Sequence, residues 1–303
     1  MRETTCGEQR TAVRPDGPGT LRLCRPAARV FPGRRPAEPA ELDLRFMTDF
    51  LAAFGEQPDH EHYARGGGHS FTDMARELLD GLDRPLPPLD TVLLAYHLPD
   101  LSAVEVAGCY LAERCPGRPE VFSVAGQGVG APFTALRLLA GIRAAGRPAA
   151  GAVLVLDQST LLYSDPDADA TPISDCAVLV RTCDDAGPDG EDGDVGDVGE
   201  GAVDSARLDF LAERAVEPNA ALRDLATRRP GARIVLGRML ADRVDPRLGS
   251  DCELVEGPRD RLCTSAWAAL AEHWTQDRYT VVADYDPYSA RLFMAGLRPG
   301  AAG

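Results

Sequence analysis

Hydrophobic residues recur at two spacings along this chain, and the two alternate. Leu21 to Val30 reads as one strand, ended by Phe31-Pro32-Gly33. From Asp43 to Phe54 the residues Leu44, Met47, Phe50, Leu51 and Phe54 share one helical face. Gln57 to Ser70, with Gly66-Gly67-Gly68, reads as a loop. Phe71 to Leu82 reads as an amphipathic helix using Met74, Leu78, Leu79 and Leu82. Asp90 to Tyr96 (D-T-V-L-L-A-Y) is a continuous apolar run, as expected of a strand buried on both faces. A helix through Val104 to Arg114 follows, and then a short strand at Val121.

That strand enters the small-residue turn Gly126-Gln127-Gly128-Val129-Gly130. The turn opens a helix whose Leu136, Leu139 and Ile142 recur at helical spacing. Strands at Ala152 to Leu156 and Val178 to Val180 complete the first unit. Residues 184 to 203 are Asp, Glu, Gly and Val with little else, too polar to offset the entropy of ordering, and predict a disordered linker. Beyond it the pattern predicts a mainly helical Arg207 to Ala226, a strand at Arg233 to Leu236 and a helix at Thr264 to Trp274. Strands at Tyr279 to Ala283 and Phe293 to Leu297 follow. The chain therefore divides into 1–183, a linker 184–206 and a shorter 207–303, and strands alternating with helices define an α/β class.

Composition narrows the function classes. The chain has 303 residues with 44% hydrophobic and 26% charged content, as in a globular protein with a large core. Its net charge of −15 argues against nucleic acid, whose phosphates need basic neutralisation. No run of about 18 apolar residues predicts a membrane span, and no apolar stretch after Arg2 and Glu3 predicts a signal peptide. The eight cysteines form no CxxC pair and read as reduced cytoplasmic thiols, with no zinc site expected. Lysine is absent, and Ala, Arg, Gly and Pro abound, as in coding from a high-GC genome.

Candidate chemistry is sparse. The glycine turn lacks the Lys-Ser/Thr ending of a phosphate loop. His60 and His62 flank Glu61 without a third ligand, so a solvated loop is the better reading than a metal site. His97 follows the Leu93 strand, at a strand end where α/β proteins gather functional groups, although a lone loop histidine is the commoner case. His273 lies late in a helix and is read as interacting with its end. Cys109 and Cys115 read as core or surface thiols, and Asp157-Gln158-Ser159-Thr160 as packing.

Three stretches carry a family resemblance. Pro88-Leu89-Asp90 to Asp100 (P-L-D-T-V-L-L-A-Y-H-L-P-D), Val121 to Leu139, and Ile173-Ser174-Asp175-Cys176-Ala177-Val178 resemble elements of ketoacyl-acyl-carrier-protein synthase III, in the thiolase superfamily. The resemblance covers roughly residues 70 to 183. More loosely, Arg233 to Leu240 falls where that family has a catalytic His, and Leu262 to Ala266 where it has a catalytic Asn. It implies a thiolase-like fold of two related α/β halves in an αβαβα layering, the second half shortened. The family condenses acyl groups with a helix-activated Cys and a His–Asn pair. At those positions this chain has Gly128 or Val129, about Gly237, and Cys263.

Three vacated positions imply a non-condensing protein, a pseudoenzyme of bacterial specialised metabolism of the polyketide or fatty-acid type. Its partners would be an acyl carrier protein and either a second copy or an active ketosynthase, with no membrane or nucleic acid. No cofactor is expected beyond a phosphopantetheine-linked acyl group as substrate. Gln127 invites comparison with the Gln of ketosynthase partner subunits, or else it simply caps the helix. The alternative is an acyltransferase or thioester hydrolase with a rewired site built from Cys263, His97 and the Asp284/Asp286 turn, where the family has a Gly-rich oxyanion loop. A small core residue for Cys263 and a surface loop for Asp284 and Asp286 are the plainer readings.

Overall fold

A computed structural model describes residues 21–33, 38–103, 105–147, 150–165, 169, 173–183 and 204–299. Residues 1–20 and the segment read as an acidic linker (184–203) lie outside the described residues. The elements of the first half are β1 (Arg22–Cys24), β2 (Ala27–Val30), α1 (Glu41–Ala52), α2 (His60–Arg65), α3 (Phe71–Asp80) and β3 (Thr91–Tyr96). They continue as α4 (Ala107–Arg114), β4 (Glu120–Val124), a 3₁₀ turn (Gly128–Gly130), α5 (Ala131–Ala144), β5 (Gly151–Asp157) and β6 (Cys176–Cys183). The second half has β7 (Ser205–Arg214), α6 (Pro218–Arg228), β8 (Arg233–Leu236) and α7 (Arg238–Ala241). It ends with β9 (Glu253–Glu256), α8 (Thr264–Glu272), β10 (Thr280–Asp286) and β11 (Arg291–Arg298).

Among the described residues these strands form one 11-stranded sheet, ordered β4-β3-β5-β6-β1-β7-β11-β10-β8-β9, with β2 also on β6. The order is the same pattern twice. In the first half β3 is parallel to β4 and β5, and β5 is antiparallel to β6. In the second, β8 is parallel to β9 and β10, and β10 is antiparallel to β11. Strand β1 pairs antiparallel with both β6 and β7, and so joins the halves.

Period-two alternation explains the layering. Leu93, Ala95, Val153, Val155, Val178 and Val180 turn inward to a central cluster, where Phe133 of α5 meets Trp267 of α8 at 5.3 Å between ring centroids. Their neighbours Val92, Leu94, Ala152, Leu154, Ala177 and Leu179 face outward to α3 and α4. Ile234, Leu236, Val281 and Ala283 pack outward in the second half, in one cluster with Leu222 and Ala226 of α6. Both sheet faces are covered, which is why these strands read as unbroken apolar runs. The layers are helix, sheet, helix pair, sheet, helix.

Four expectations change, the first being that Leu21 to Val30 forms two strands, β1 and β2, rather than one. Residues 207–226 are not mainly helical: β7 occupies 205–214, and α6 begins only at Pro218, capped by Glu217 accepting from the Asn219 and Ala220 amides. Ala206, Leu208, Phe210 and Ala212 alternate at period two, but Ala, Leu, Glu and Arg are also strong helix formers, and their propensity misleads. β7 thus starts at 205, inside the span assigned to the linker. The 57–70 loop contains α2, whose N-terminus Asp59 caps by accepting from the His62 amide at 2.8 Å. Finally, the apolar face read into α1 stays largely uncovered: Phe50 and Phe54 are exposed, and Leu51 is buried. No helix among the described residues is long and apolar enough to cross a membrane.

Candidate functional site

The pseudo-symmetric halves bring the starts of α5 and α8 together. The α5 start is the glycine turn. Gly128 adopts a left-handed φ of +52°, and a Cβ there would lie 3.3 Å from the Asp286 carboxyl carbon. At Gly130 a Cβ would run into the Phe293 ring, which itself stacks against Phe133 at 5.8 Å. The α8 start is Cys263-Thr264. Its thiol donates to the carbonyl oxygen of Gly128 at 3.4 Å, which closes the gap between the two helix starts.

Two carboxylates sit beneath that contact. Asp157, at the end of β5, accepts from the amides of Leu262, Cys263 and Thr264 at 2.8–2.9 Å and from the Thr264 hydroxyl at 2.6 Å. It satisfies the orphan donors of a helix N-terminus from the opposite half. Burial pushes its carboxyl upward, and those four donors oppose the shift. Asp284, on β10, accepts from the Leu240 and Tyr285 amides at 3.1 and 2.9 Å. Burial raises it to about 8; the two amide hydrogen bonds and the buried Arg238 guanidinium pull it down, and Asp157 pushes it further up. The Asp284 carboxyl fills the space into which any side chain at Gly237 would project.

Each sequence-derived candidate now has a place. Cys263 is 2% exposed. Burial holds its thiol well above the ordinary range, Asp157 and Asp284 add to the shift, and a hydrogen bond from the His97 backbone opposes it. The site therefore disfavours a thiolate there. Gln127 is exposed, and its Oε1 accepts from the Thr134 hydroxyl at 2.6 Å, so the amide folds back on α5. Val129 is buried. Asp286 accepts from its own turn, from the amides of Tyr288 and Ser289 and the Ser289 hydroxyl. His97, Gln127, Gly128 and Asp286 line one cleft of about 680 Å³, together with Arg137 and Arg291, which grip Glu213 at 3.0 and 2.8 Å.

The remaining candidates stand apart from this cleft. His60 and His62 lie on α2, His62 buried with its Nδ1 2.9 Å from the Arg65 guanidinium. His273 caps α8 through its backbone amide, which donates to Ala269. Cys109 is exposed on α4 and Cys115 is buried at its end. Two features went unread in the sequence. Arg238 is one, and its buried guanidinium beside Asp284 carries no local signature, because burial of an Arg is exceptional. The other is the role of Asp157 as a cap for a helix 105 residues later, which only the pairing of the halves reveals.

No protein-family model matches the chain, and no curated protein sequence does. Solved structures do match in fold. The acyltransferase ChlB3 superposes with a TM-score of 0.55 at 13% identity, over 92% of this chain and 98% of that one. The tetronic acid condensing enzyme AbyA1 gives 0.55 at 15% identity, over 92% and 100%. The 3-oxoacyl-(acyl carrier protein) synthase III FabH from Pseudomonas aeruginosa PAO1 gives 0.50 at 13%, over 94% and 100%. The chain has the thiolase-like fold of the ketosynthases, with both halves present. Among the described residues the second half has five strands.

Proposed function

We propose that this chain is a non-condensing, ketosynthase-like protein that works beside carrier-bound acyl groups as the partner of a cysteine-bearing ketosynthase. The observation that carries this reading is the Asp284 carboxyl in the place of a side chain at Gly237. A residue is missing from the position matched to the catalytic His, and the space is taken as well. Gly128 offers no nucleophile at the position matched to the Cys, and Asp286 stands in front of it. Cys263, at the position matched to the Asn, donates to a backbone carbonyl and is held as a thiol. Decarboxylative condensation needs a thiolate and two donors aimed at an enolate oxygen, and these three positions supply neither.

The rewired-enzyme alternative needs Cys263 as a nucleophile, and its burial between two carboxyl groups works against that. Association is favoured by β4, an edge strand whose Phe122 is 50% exposed. An uncovered apolar edge is a template for pairing with another chain. A homodimer and a heterodimer both satisfy that edge, and the acyl carrier is the partner expected for the bound acyl group.

Co-expression with a cysteine-bearing ketosynthase and its acyl-loaded carrier tests the proposal. The expected result is a stable complex in which acyl mass is found on the ketosynthase and the carrier only. A lone homodimer carrying an acyl adduct on this chain overturns it.

A further inference from the structure

Against α1 lies an aromatic cavity that the glycine-turn site does not use. Its volume is about 390 Å³, within the range of small-molecule sites. Leu94 of β3 and Phe71 of α3 line it, and both belong to the outward-facing cluster. The cavity is therefore on the outer face of the sheet, away from the contact between α5 and α8. Six rings surround it: Phe46 and Phe50 of α1, Tyr63 of α2, Phe71, Tyr96 and Tyr163. Phe46 and Phe50 stack at 6.3 Å between ring centroids, and Phe71 and Tyr96 lie 4.9 Å apart. Tyr63 and Phe71 are buried, whereas Phe46 and Phe50 are each 49% exposed. The face that α1 leaves uncovered is thus in part the rim of a cavity.

The ionisable charges on its wall have one sign. Asp100 and Glu105 contribute carboxyl groups, and among the described residues no Arg or His lines the cavity. Asp100 is half used. Its Oδ1 accepts from the Phe71 amide at 2.9 Å, in the first turn of α3. Its Oδ2 is buried and accepts no hydrogen bond among the described residues. A buried carboxyl oxygen without a donor costs free energy, and a donor brought by a ligand recovers it. Burial raises this carboxyl to about 7; the amides of Phe71, Leu101 and Ser102 oppose the rise, and Glu105 adds to it. Tyr63 is raised by burial, with Asp43 of α1 and Asp100 adding to it. Asp43 itself accepts from the Ser102 hydroxyl and from the Ala103 amide at 2.8 Å.

We propose that this cavity binds a small amphipathic amine, with its apolar body against the six rings and a protonated primary amine donating to Asp100 Oδ2. The lining dictates that chemistry. Aromatic faces attract ammonium groups as well as apolar chains. The orphan carboxyl oxygen selects an N–H donor, and the ammonium charge compensates the carboxylate. Two carboxyl groups with no cation repel an anion, so a free fatty acid or a phosphate-bearing ligand is rejected. That separates the cavity from the acyl chemistry proposed around the glycine turn. An ammonium at Oδ2 also favours the ionised form of Asp100, so binding displaces its proton.

Isothermal titration calorimetry of the full chain with phenylbutylamine tests the proposal, with phenylbutanol and phenylbutyrate as neutral and anionic counterparts. The amine is expected to bind at least ~10-fold tighter than the alcohol, and the butyrate not at all. Affinity for the amine rises roughly 10-fold between pH 6 and pH 8, as Asp100 ionises through about 7, and affinity for the alcohol does not. Asp100→Asn brings the amine down to the affinity of the alcohol and removes the pH dependence. Acetyl-lysine amide carries the same ammonium without the apolar body and is expected to bind more weakly than phenylbutylamine. Equal binding of the two would assign the cavity to a lysine of a partner and overturn the small-amine reading. The wild-type comparisons need no variant to fold. Wild type that binds amine no tighter than alcohol, or Asp100→Asn with amine affinity unchanged, overturns the proposal, as does no amine binding.

Discussion

Cys263 and Gly128 are joined by a hydrogen bond of 3.4 Å from thiol to carbonyl oxygen, linking the first turns of α8 and α5. These turns belong to different halves of the sheet. Here the two backbones close on each other through a small side chain. The surrounding carboxyl groups, Asp157, Asp284 and Asp286, are each committed to backbone amides. That commitment makes the region a packed junction, and it yields quantitative expectations.

Gly237→Ala places a methyl group against the Asp284 carboxyl and forces a shift in a fully buried neighbourhood. Overpacking of this kind costs about 1–3 kcal/mol, to be read from urea unfolding. The double variant with Asp284→Ala recovers part of the loss, since the obstructing group is then gone. Equal stability of Gly237→Ala and wild type would mean that the space at this position is open.

Stability also depends on pH through Asp284. Its carboxyl titrates at about 8 in the folded chain and at about 4 when unfolded. Below pH ~4 the group is protonated in both states and its contribution is fully present. As pH rises towards 8 only the unfolded chain ionises freely, and stability is lost across that window. Asp284→Asn removes this slope. The variant is expected to gain on wild type at pH 8 relative to pH 4, measured by unfolding at both.

Asp157 supports α8 in the opposite sense. It is the acceptor for three amides and a hydroxyl, and Asn can replace only part of that set. Asp157→Asn is expected to cost about 1–3 kcal/mol and to increase amide exchange at Leu262, Cys263 and Thr264. Exchange unchanged at those three amides would contradict the capping role.

A cysteine introduced at Gly128 is expected to be a poor nucleophile. Gly128→Cys puts a thiol at φ +52° beside the Asp286 carboxylate, which disfavours the thiolate. The introduced thiol is expected to react with iodoacetamide more slowly than Cys109. Adding Asp286→Asn speeds it. A Gly128→Cys protein that forms an acyl-enzyme as it stands would show the site to be competent after all.

Much of the fold is legible in the sequence because its strands are buried on both faces. Thr91 to Tyr96, Gly151 to Asp157 and Cys176 to Cys183 are near-continuous apolar runs, and the glycine turn marks the start of α5. β7 is misread because Ala, Leu, Glu and Arg suit both periods, and the choice is made by its partners β1 and β11. β9 is four residues long and half exposed, too short to signal itself. The sequence also points to Gly128, Gly237 and Cys263, which the fold brings to one region at the starts of α5 and α8 and beside Asp284. What stands against Gly237 and Gly128, Asp284 and Asp286 of β10, is set by the pairing of β10 with β8 and by the approach of the two halves, and no local pattern encodes it.

The most direct measurement is intact mass of this chain after incubation with acetyl- and malonyl-loaded acyl carrier protein, with released carbon dioxide followed in parallel. The account predicts an unchanged protein mass and no decarboxylation above the carrier alone. An acyl adduct on any cysteine of this chain, lost in Cys263→Ala, would contradict it and make Cys263 a working nucleophile.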